Sequence, residues 1–405
     1  MDLIESTDMF VQKEFSYYNK WILDEPLLIS EGSSKDLSAL QKILNKLINE
    51  FVSNFSRYKH LMPVIPEVEQ VIELFNRKPY QVGSYRTDFV FDLDRQIKII
   101  EITCRMGLNG VFSCAIMEHF TAQFVQSEKI DCTRIDLYKG IFQKLEANLK
   151  DVDSVTVLVG HDKRNESKIF TEIFERMGFR VRQVQYDCIK NHLEEMQNSW
   201  IISELSFDEI LSIDLKTLEA LMPLNITNDF RTVFLIHDKR FFDVLGHAVL
   251  RDTVLTAEEI RFFDQYYIPT YAYAQNPRAW ENAKHNKNEW ILKHRALGKS
   301  QEVYAGVVTE TQEWEALFED DKIKEMVLQK WVKQPTYKTT LKGQQVNDYL
   351  TGTLLYFDDE YFGLGEFRTS SYPVTNKVDH RKMAGLIVGQ KNVATGDFNG
   401  KKIFV

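Results

Sequence analysis

The stretch RTDFVFDLDRQIKIIEITCRMGLNG, residues 86–110, sets two apolar runs on either side of an acidic turn. Side chains alternate faces along a strand, so Arg86 and Asp88 share one face of the first run. Asp92, Leu93, Asp94 and Arg95 are turn chemistry. The second run, Ile97 to Thr103, carries Glu101 and Thr103 on one face. Folded as an antiparallel hairpin, the stretch brings Asp88 close to Glu101. Two carboxylates at that separation repel unless a proton or a cation lies between them. Two readings follow from the residues alone. Asp88, Glu101 and Thr103 are oxygen ligands suited to Mg²⁺, or Arg86 forms a salt-bridged strand pair with Asp88 or Glu101.

On the N-terminal side of the hairpin, residues 1–75 read as helical. SSKDLSALQKILNKLINEFVSNFSRY spaces Leu37, Leu40, Ile43, Leu44, Leu47, Ile48 and Phe51 along one helical face, with Ser34 as N-cap. On the C-terminal side, Asn109 to Gln126 reads as a helix. Near residue 150 the pattern changes. DSVTVLVG and FRVRQVQY read as strands on either side of a helix from Asn165 to Met177, and SWIIS, a helix over about 206–222 and RTVFLIHD continue the alternation. Such units indicate a parallel, Rossmann-like subdomain over 150–245. It lacks GxGxxG, so no dinucleotide is indicated. Thr256 and Glu259 form a capping box. WILK and QEVYAGVV are strands joined by the ALGKS turn, Glu310 to Phe318 is a short helix and EMVLQKWV is another strand. DYLTGTLLYFDDEYFGLGEFRTSS is a hairpin with Asp358 and Asp359 at its tip.

The chain has 405 residues, is 44% hydrophobic and 27% charged, and carries a net charge of −9. That length suggests two or three packed subdomains. The acidic balance argues against a nucleic-acid or anionic-membrane binder, which needs a broad basic surface. Cys104, Cys114, Cys132 and Cys188 have no metal-binding or disulfide spacing, which suits free thiols in a reducing cytoplasm. The N-terminal MDLIESTDMF is not a signal peptide, and no apolar run approaches a membrane span.

Several basic residues have the chemistry of a phosphate site. Lys293 lies at the end of the WILK strand, before a loop with Gly298, Lys299 and Ser300. An ammonium beside turn N–H groups is a workable phosphate clamp, and a solvated turn is the plainer reading. It is not a Walker A loop, because GxxxxGK[ST] is absent. Gln329 and Lys330, inside the apolar VLQKWV, offer backbone groups to a base edge or mark an edge strand with snorkelling side chains. Arg368, in EFRTSS, sits at a hairpin end where an isolated arginine is commonly a surface charge.

Taken in order, these segments resemble a circularly permuted ATP-grasp ligase of the glutathionylspermidine synthetase-like group, over about residues 80–375. RTDFVFDLDRQIKIIEIT resembles the family's R-x-D, turn, E-x-N magnesium hairpin, placed early in the chain. Lys239, in HDKRFFDVL, resembles the NK-x-L-L helix start. IPTY, Ile268 to Tyr271, resembles the proline-containing segment before the nucleotide strands. WILK places Lys293 at the family's V-L-K-P lysine, and GKSQEVYAG resembles its phosphate-covering turn. LQKWV resembles the adenine-reading hinge and Arg368 an arginine near the triphosphate. Thr103 replaces the Asn of E-x-N, and His294 replaces the Pro after the lysine.

The resemblance implies an α/β (α+β) fold in four parts. These are a helical region over 1–75, a permuted ATP-grasp piece with the hairpin over 76–149, the Rossmann-like part over 150–245 and the nucleotide-binding part over 246–405. It implies ATP and Mg²⁺ as cofactors and small-molecule carboxylate and amine substrates: an amino acid, small peptide or polyamine joined as an amide through an acylphosphate. Asp88, Glu101 and Thr103 would hold the metal. Lys239, Lys293, Gly298, Lys299, Ser300, Gln329, Lys330, Trp331 and Val332 would bind nucleotide, and Arg86 and Arg368 would be catalytic. The alternatives are a nucleotide-binding protein without catalysis and a metal-dependent nuclease. The nuclease pattern ends in Glu-x-Lys, and here Thr103 stands at the lysine position.

Overall fold

A computed structural model describes residues 2–128, 137–162 and 165–388. Cys132 and residues 389–405 lie outside the described residues. The region up to residue 75 is mostly helical, as its periodicity indicates, but it opens a short strand, β1 (Leu27–Ser30), before its longest helix, Glu31–Ser53. The seven apolar residues that mark the helical face are all buried. The N-cap is Ser30 rather than Ser34: its hydroxyl accepts the Ser33 N–H at 3.2 Å. The serine that ends the strand therefore starts the helix.

The hairpin forms as β2 (Ser84–Phe91) and β3 (Ile97–Thr103), and pairs Arg86 with Thr103 and Asp88 with Glu101. Its turn is local chemistry. The Asp92 carboxylate accepts the N–H groups of Asp94 and Gln96, at 3.0 and 2.8 Å, while Arg95 takes a positive φ of 63°. The helix read over Asn109–Gln126 follows as Val111–Glu128.

Next come β4 (Ser154–Val159), β5 (Arg180–Gln185), β6 (Ser199–Ser203) and the two-residue β7 (Ile226–Thr227), a parallel sheet in the order β5-β4-β6-β7. The helix read over 206–222 is two, Phe207–Leu211 and Leu215–Leu221. RTVFLIHD is no strand. Phe230–Leu235 is helical, and every one of its residues is buried. A short run buried all round loses the periodicity that separates helix from strand. Asp229 starts this helix by accepting the Arg231 N–H at 2.9 Å.

The remaining strands fall into three sheets. β8 (Thr270–Ala272), β9 (Trp290–His294), β10 (Val303–Ala305) and β11 (Met326–Lys330) pair in the order β10-β9-β11-β8. The strand read over QEVYAGVV is thus three residues long, and the one read over EMVLQKWV stops at Lys330. Then follow β12 (Tyr337–Leu341), β13 (Gln344–Phe357), β14 (Glu360–Leu364), β15 (Phe367–Ser370), β16 (Arg381–Met383) and β17 (Gly385–Val388). β13 is the spine of the largest sheet, ordered β16-β15-β13-β2-β3, with β12 and β14 also paired to it. β17 runs parallel to β1. The early hairpin is therefore sheet-mate to strands some 250 residues later, beginning with Thr353 opposite Asp88.

Gly352 shows how closely this spine is packed. A Cβ there would lie 2.3 Å from the Phe89 ring and 2.5 Å from that of Phe367. Gly352→Ala should lower stability by about 1–3 kcal/mol, the usual cost of overpacking. Chemical denaturation checks this, and an unchanged midpoint would mean that the β2–β13–β15 packing is looser than described.

Candidate functional site

The sheet of β13 and the sheet of β9 enclose a cavity of about 770 Å³, within the usual range of ligand sites. Every residue singled out above for metal, nucleotide or catalysis lines it. The cavity gathers them from the hairpin, the segment before Phe241–Val244, strands β9, β11 and β15, and the turn after β9.

Asp88 is 3% exposed, and both its oxygens meet arginines. Arg86 Nε donates to Oδ1 at 2.9 Å, and Arg368 Nη2 donates to Oδ2. Burial works against the charge of Arg86, but Asp88 and Glu366 outweigh it and raise its pKa. Glu101 lies nearer two lysines. Its Oε1 is 3.4 Å from Lys239 Nζ. Burial opposes its ionisation too, yet Lys239 and Lys293 hold its pKa down at about 2. Thr103 ends β3, opposite Arg86.

Lys293, 5% exposed on β9, donates to Gln329 Oε1 at 2.7 Å and to the Ile100 carbonyl at 3.1 Å. Gln329 in turn donates to Thr270 Oγ1 at 2.9 Å. Burial pulls the Lys293 pKa from 10.5 to about 8; Glu101 opposes that fall and Lys239 adds to it. Lys239 Nζ also donates to the Leu297 carbonyl at 2.7 Å, which ties it to the 296–301 turn. In that turn Lys299 and Ser300 both take a φ of 57°. Lys299 Nζ reaches Asp162 at 3.1 Å, Ser300 Oγ donates to the Thr375 carbonyl at 2.8 Å, and Gly298 leaves open space where a Cβ would stand.

Lys330 lines the cavity through its backbone, because its ammonium reaches out to Glu289 at 2.5 Å and sits over the Trp290 ring. Its N–H donates to the Pro269 carbonyl at 3.0 Å, and that of Trp331 to the Glu289 carbonyl at 2.8 Å. Val332 and Ile268 both line the cavity wall.

Other residues join the site without having been singled out. Glu366 pairs with Lys382, and Asp162 bridges Arg105 at 3.1 Å and Lys299. Glu166 accepts the N–H groups of Gly110 and Ser113 at 2.8 and 3.1 Å. Burial lowers the pKa of His237 to about 4, with Lys239 adding to the effect. Glu366 had a signal, since it stands two residues before Arg368. Glu166 had none, because its partners come from another element. Among the described residues, no group of three or more His, Cys, Asp or Glu is gathered to hold a metal.

A family model described as the AnkG N-terminal domain matches residues 37–235. That span runs from the long N-terminal helix through the hairpin and the parallel sheet, and stops before β8. No curated protein matches the sequence. Among solved structures, the chain is similar to a glutathione synthetase-like effector (GSS30) from Globodera pallida, in its apo form. The TM-score is 0.59 at 12% identity, over 95% of this chain and 96% of that one. That likeness lies in the fold, a mixed arrangement of α and β elements. No helix among the described residues is long and apolar enough to cross a membrane.

The low pKa of Lys293 has a consequence for stability. Between about 8 and 10.5 the unfolded chain holds a proton on this lysine that the folded chain has released, so stability rises with pH across that window. Lys293→Met lacks this term. Relative to it, the wild type should gain thermal stability as pH climbs from about 8 to about 10.5. Parallel melting-temperature curves for the two proteins would show that Lys293 titrates normally.

Proposed function

We propose that the protein is an ATP-dependent carboxylate–amine ligase of circularly permuted ATP-grasp architecture. The observation that carries this is one cavity that collects the hairpin carboxylates, Arg86, Arg368, Lys239 and Lys293, and the end of β11. The glutathione synthetase-like fold supports it. So does the pairing of β2 with β13, which joins the 76–149 part to strands of the 246–405 part in one sheet. The Rossmann-like 150–245 part and the helical 1–75 part flank that sheet. Within a chain of net charge −9, cations outnumber carboxylates around the cavity, which favours an anionic occupant.

The donor set fits one Mg²⁺ in company with phosphates. Glu101 is held ionised and takes the metal, with the Thr103 hydroxyl at the edge. Asp88 has both oxygens on arginines, so its part is to orient Arg86 and Arg368. When bound, ATP with Mg²⁺ would give its γ-phosphoryl group to a carboxylate and leave as ADP; an amine would then attack the acyl carbon, expelling inorganic phosphate and losing a proton to leave the amide. The backbone of Lys330 to Val332 receives the base. Lys293, Lys239 and the Gly298–Ser300 turn receive the phosphates, and Arg86 and Arg368 neutralise charge as the phosphoryl group moves. Asp88, Lys239 and Lys293 are buried, so each of these charges acts over a lower dielectric than at the surface.

The Asp88 clamp and Thr103 also favour a second reading, a nucleotide-binding protein without ligase turnover. A phosphate-release screen of paired acids and amines with ATP and Mg²⁺ separates the two. The ligase requires release that depends on both substrates, and Glu101→Gln should lower it by roughly 100-fold or more while leaving the fold intact. Retained ATP binding with no release for any pair leaves the second reading. Lys293→Ala should weaken ATP binding by about 1.5–3 kcal/mol, the worth of a charge-assisted contact. Unchanged affinity in a calorimetric titration would remove Lys293 from the nucleotide site.

A further inference from the structure

Five carboxylates among the described residues line the cavity: Asp88, Glu101, Asp162, Glu166 and Glu366. Four of them meet a cation. Asp88 lies on Arg86 and Arg368, Glu101 near Lys239, Asp162 on Arg105 and Lys299, and Glu366 on Lys382. Glu166 differs. Its Oε2 accepts the Gly110 N–H at 2.8 Å and its Oε1 the Ser113 N–H at 3.1 Å. No described lysine or arginine side chain hydrogen-bonds to it. The two N–H bonds hold the start of the helix Val111–Glu128 and occupy one acceptor position on each oxygen. A carboxylate has about four such positions, so Glu166 keeps acceptor capacity at the cavity.

Its place is fixed from two elements. It stands in the first turn of the helix Asn165–Arg176, and it binds the segment that follows β3. That segment packs on the arginine clamp. Arg86 Nη1 reaches Asn109 Oδ1 at 3.5 Å, and a Cβ on Gly110 would stand 3.8 Å from Arg86 Cδ. Glu166 therefore binds the N–H of a residue in contact with Arg86, beside the group that neutralises charge during phosphoryl transfer. Burial raises the pKa of Glu166; the two N–H groups oppose that rise, Glu366 adds to it and Arg86 opposes it. From other elements, the Tyr18 hydroxyl and the Cys114 thiol also feel its charge.

We infer that Glu166 is the general base of the ligase, taking the proton that the substrate amine must lose before it attacks the acyl carbon. The inference rests on the ligase reading above. An amine is largely an ammonium near neutral pH and has no free electron pair. One ammonium proton passes to a Glu166 oxygen. The freed pair forms the C–N bond, the bond from the acyl carbon to the phosphate oxygen breaks, and the departing phosphate takes a second proton. Amide and hydrogen phosphate remain, and Glu166 returns its proton to water. The other four carboxylates would have to give up an ion pair to accept a proton. His237, held at a pKa of about 4 by burial and then by Lys239, is a weak base, and His380 is exposed.

The test uses the full chain with ATP, Mg²⁺ and the acid and amine of largest phosphate release among the common amino acids, glycylglycine and spermidine. A second arm replaces the amine by hydroxylamine, which is mostly uncharged near neutral pH and attacks acylphosphates without first losing a proton. Glu166→Gln keeps the size and one acceptor oxygen and removes the basicity. It should lower amine-dependent release by about 100-fold or more, the lower range of a general base's contribution, and should lower hydroxamate formation far less. Release with the amine that survives Glu166→Gln, or an equal loss in both arms, would overturn the inference. The ligase reading fails separately, if the wild type gives neither release nor hydroxamate with any pair, and the inference then falls with it.

Discussion

Asp88 is a carboxylate shut into the largest sheet, and the two arginines that answer it determine how the site is arranged. A buried charge is tolerated only where it is paired and hydrogen-bonded. Arg86 comes from the same strand, two residues away and therefore on the same face. Arg368 comes from β15, which reaches Asp88 across β13 through the pairing of Thr351 with Arg368 and Thr353 with Asp88. The clamp therefore ties an N-terminal hairpin to C-terminal strands by charge as well as by the sheet ladder. It also holds two guanidinium groups in place on the cavity wall. Rigid, pre-oriented cations stabilise developing negative charge without reorganising at the moment of reaction.

The same logic extends to Glu101. Its lysines belong to other segments: Lys239 precedes the Phe241–Val244 helix and Lys293 lies on β9. The carboxylate lowers the cost of burying both ammonium groups, and they in turn keep it ionised. Lys293 nevertheless stays below its usual pKa, so burial exceeds the help Glu101 gives. A phosphate arriving beside Lys293 would relieve that imbalance. The site is thus better suited to an added anion than to an added cation beside these lysines, although the chain as a whole is acidic.

The hairpin was legible because each of its signals is local: period-two alternation, an aspartate turn and carboxylates facing each other across two strands. The face of the long N-terminal helix was legible for the same reason. Which cation meets which carboxylate was not, since Arg368 and Asp88 are joined only through the order of strands in the sheet. The residues alone left metal ligation and salt bridging both open, and the structure gives Asp88 to arginines while Glu101 keeps an oxygen near lysines and cavity. Phe230–Leu235 misled because burial on every side hides helical periodicity, and Ser34 lost to Ser30 because β1 was not visible in so short a segment. The turn after β9 was legible by composition. Its attachment to Asp162 was not, because that residue comes from the segment after β4, far away in the sequence.

That turn is the part of the wall least determined by the rest. Strand-borne groups such as Lys293 and Arg368 are held by ladders on both sides, whereas the turn holds Lys299, Ser300 and Glu302 at positive φ. Each such non-glycine residue costs about 1–2 kcal/mol. Against that cost stand Lys299 on Asp162 and Ser300 on the Thr375 carbonyl. The Asp162 link is a partly exposed ion pair, and such pairs contribute little. An incoming phosphate competes with Asp162 for the same ammonium, and it carries more charge than a carboxylate. On the nucleotide-binding reading proposed above, the strands would fix where the anion sits, and the turn would be the element whose contacts change when it arrives.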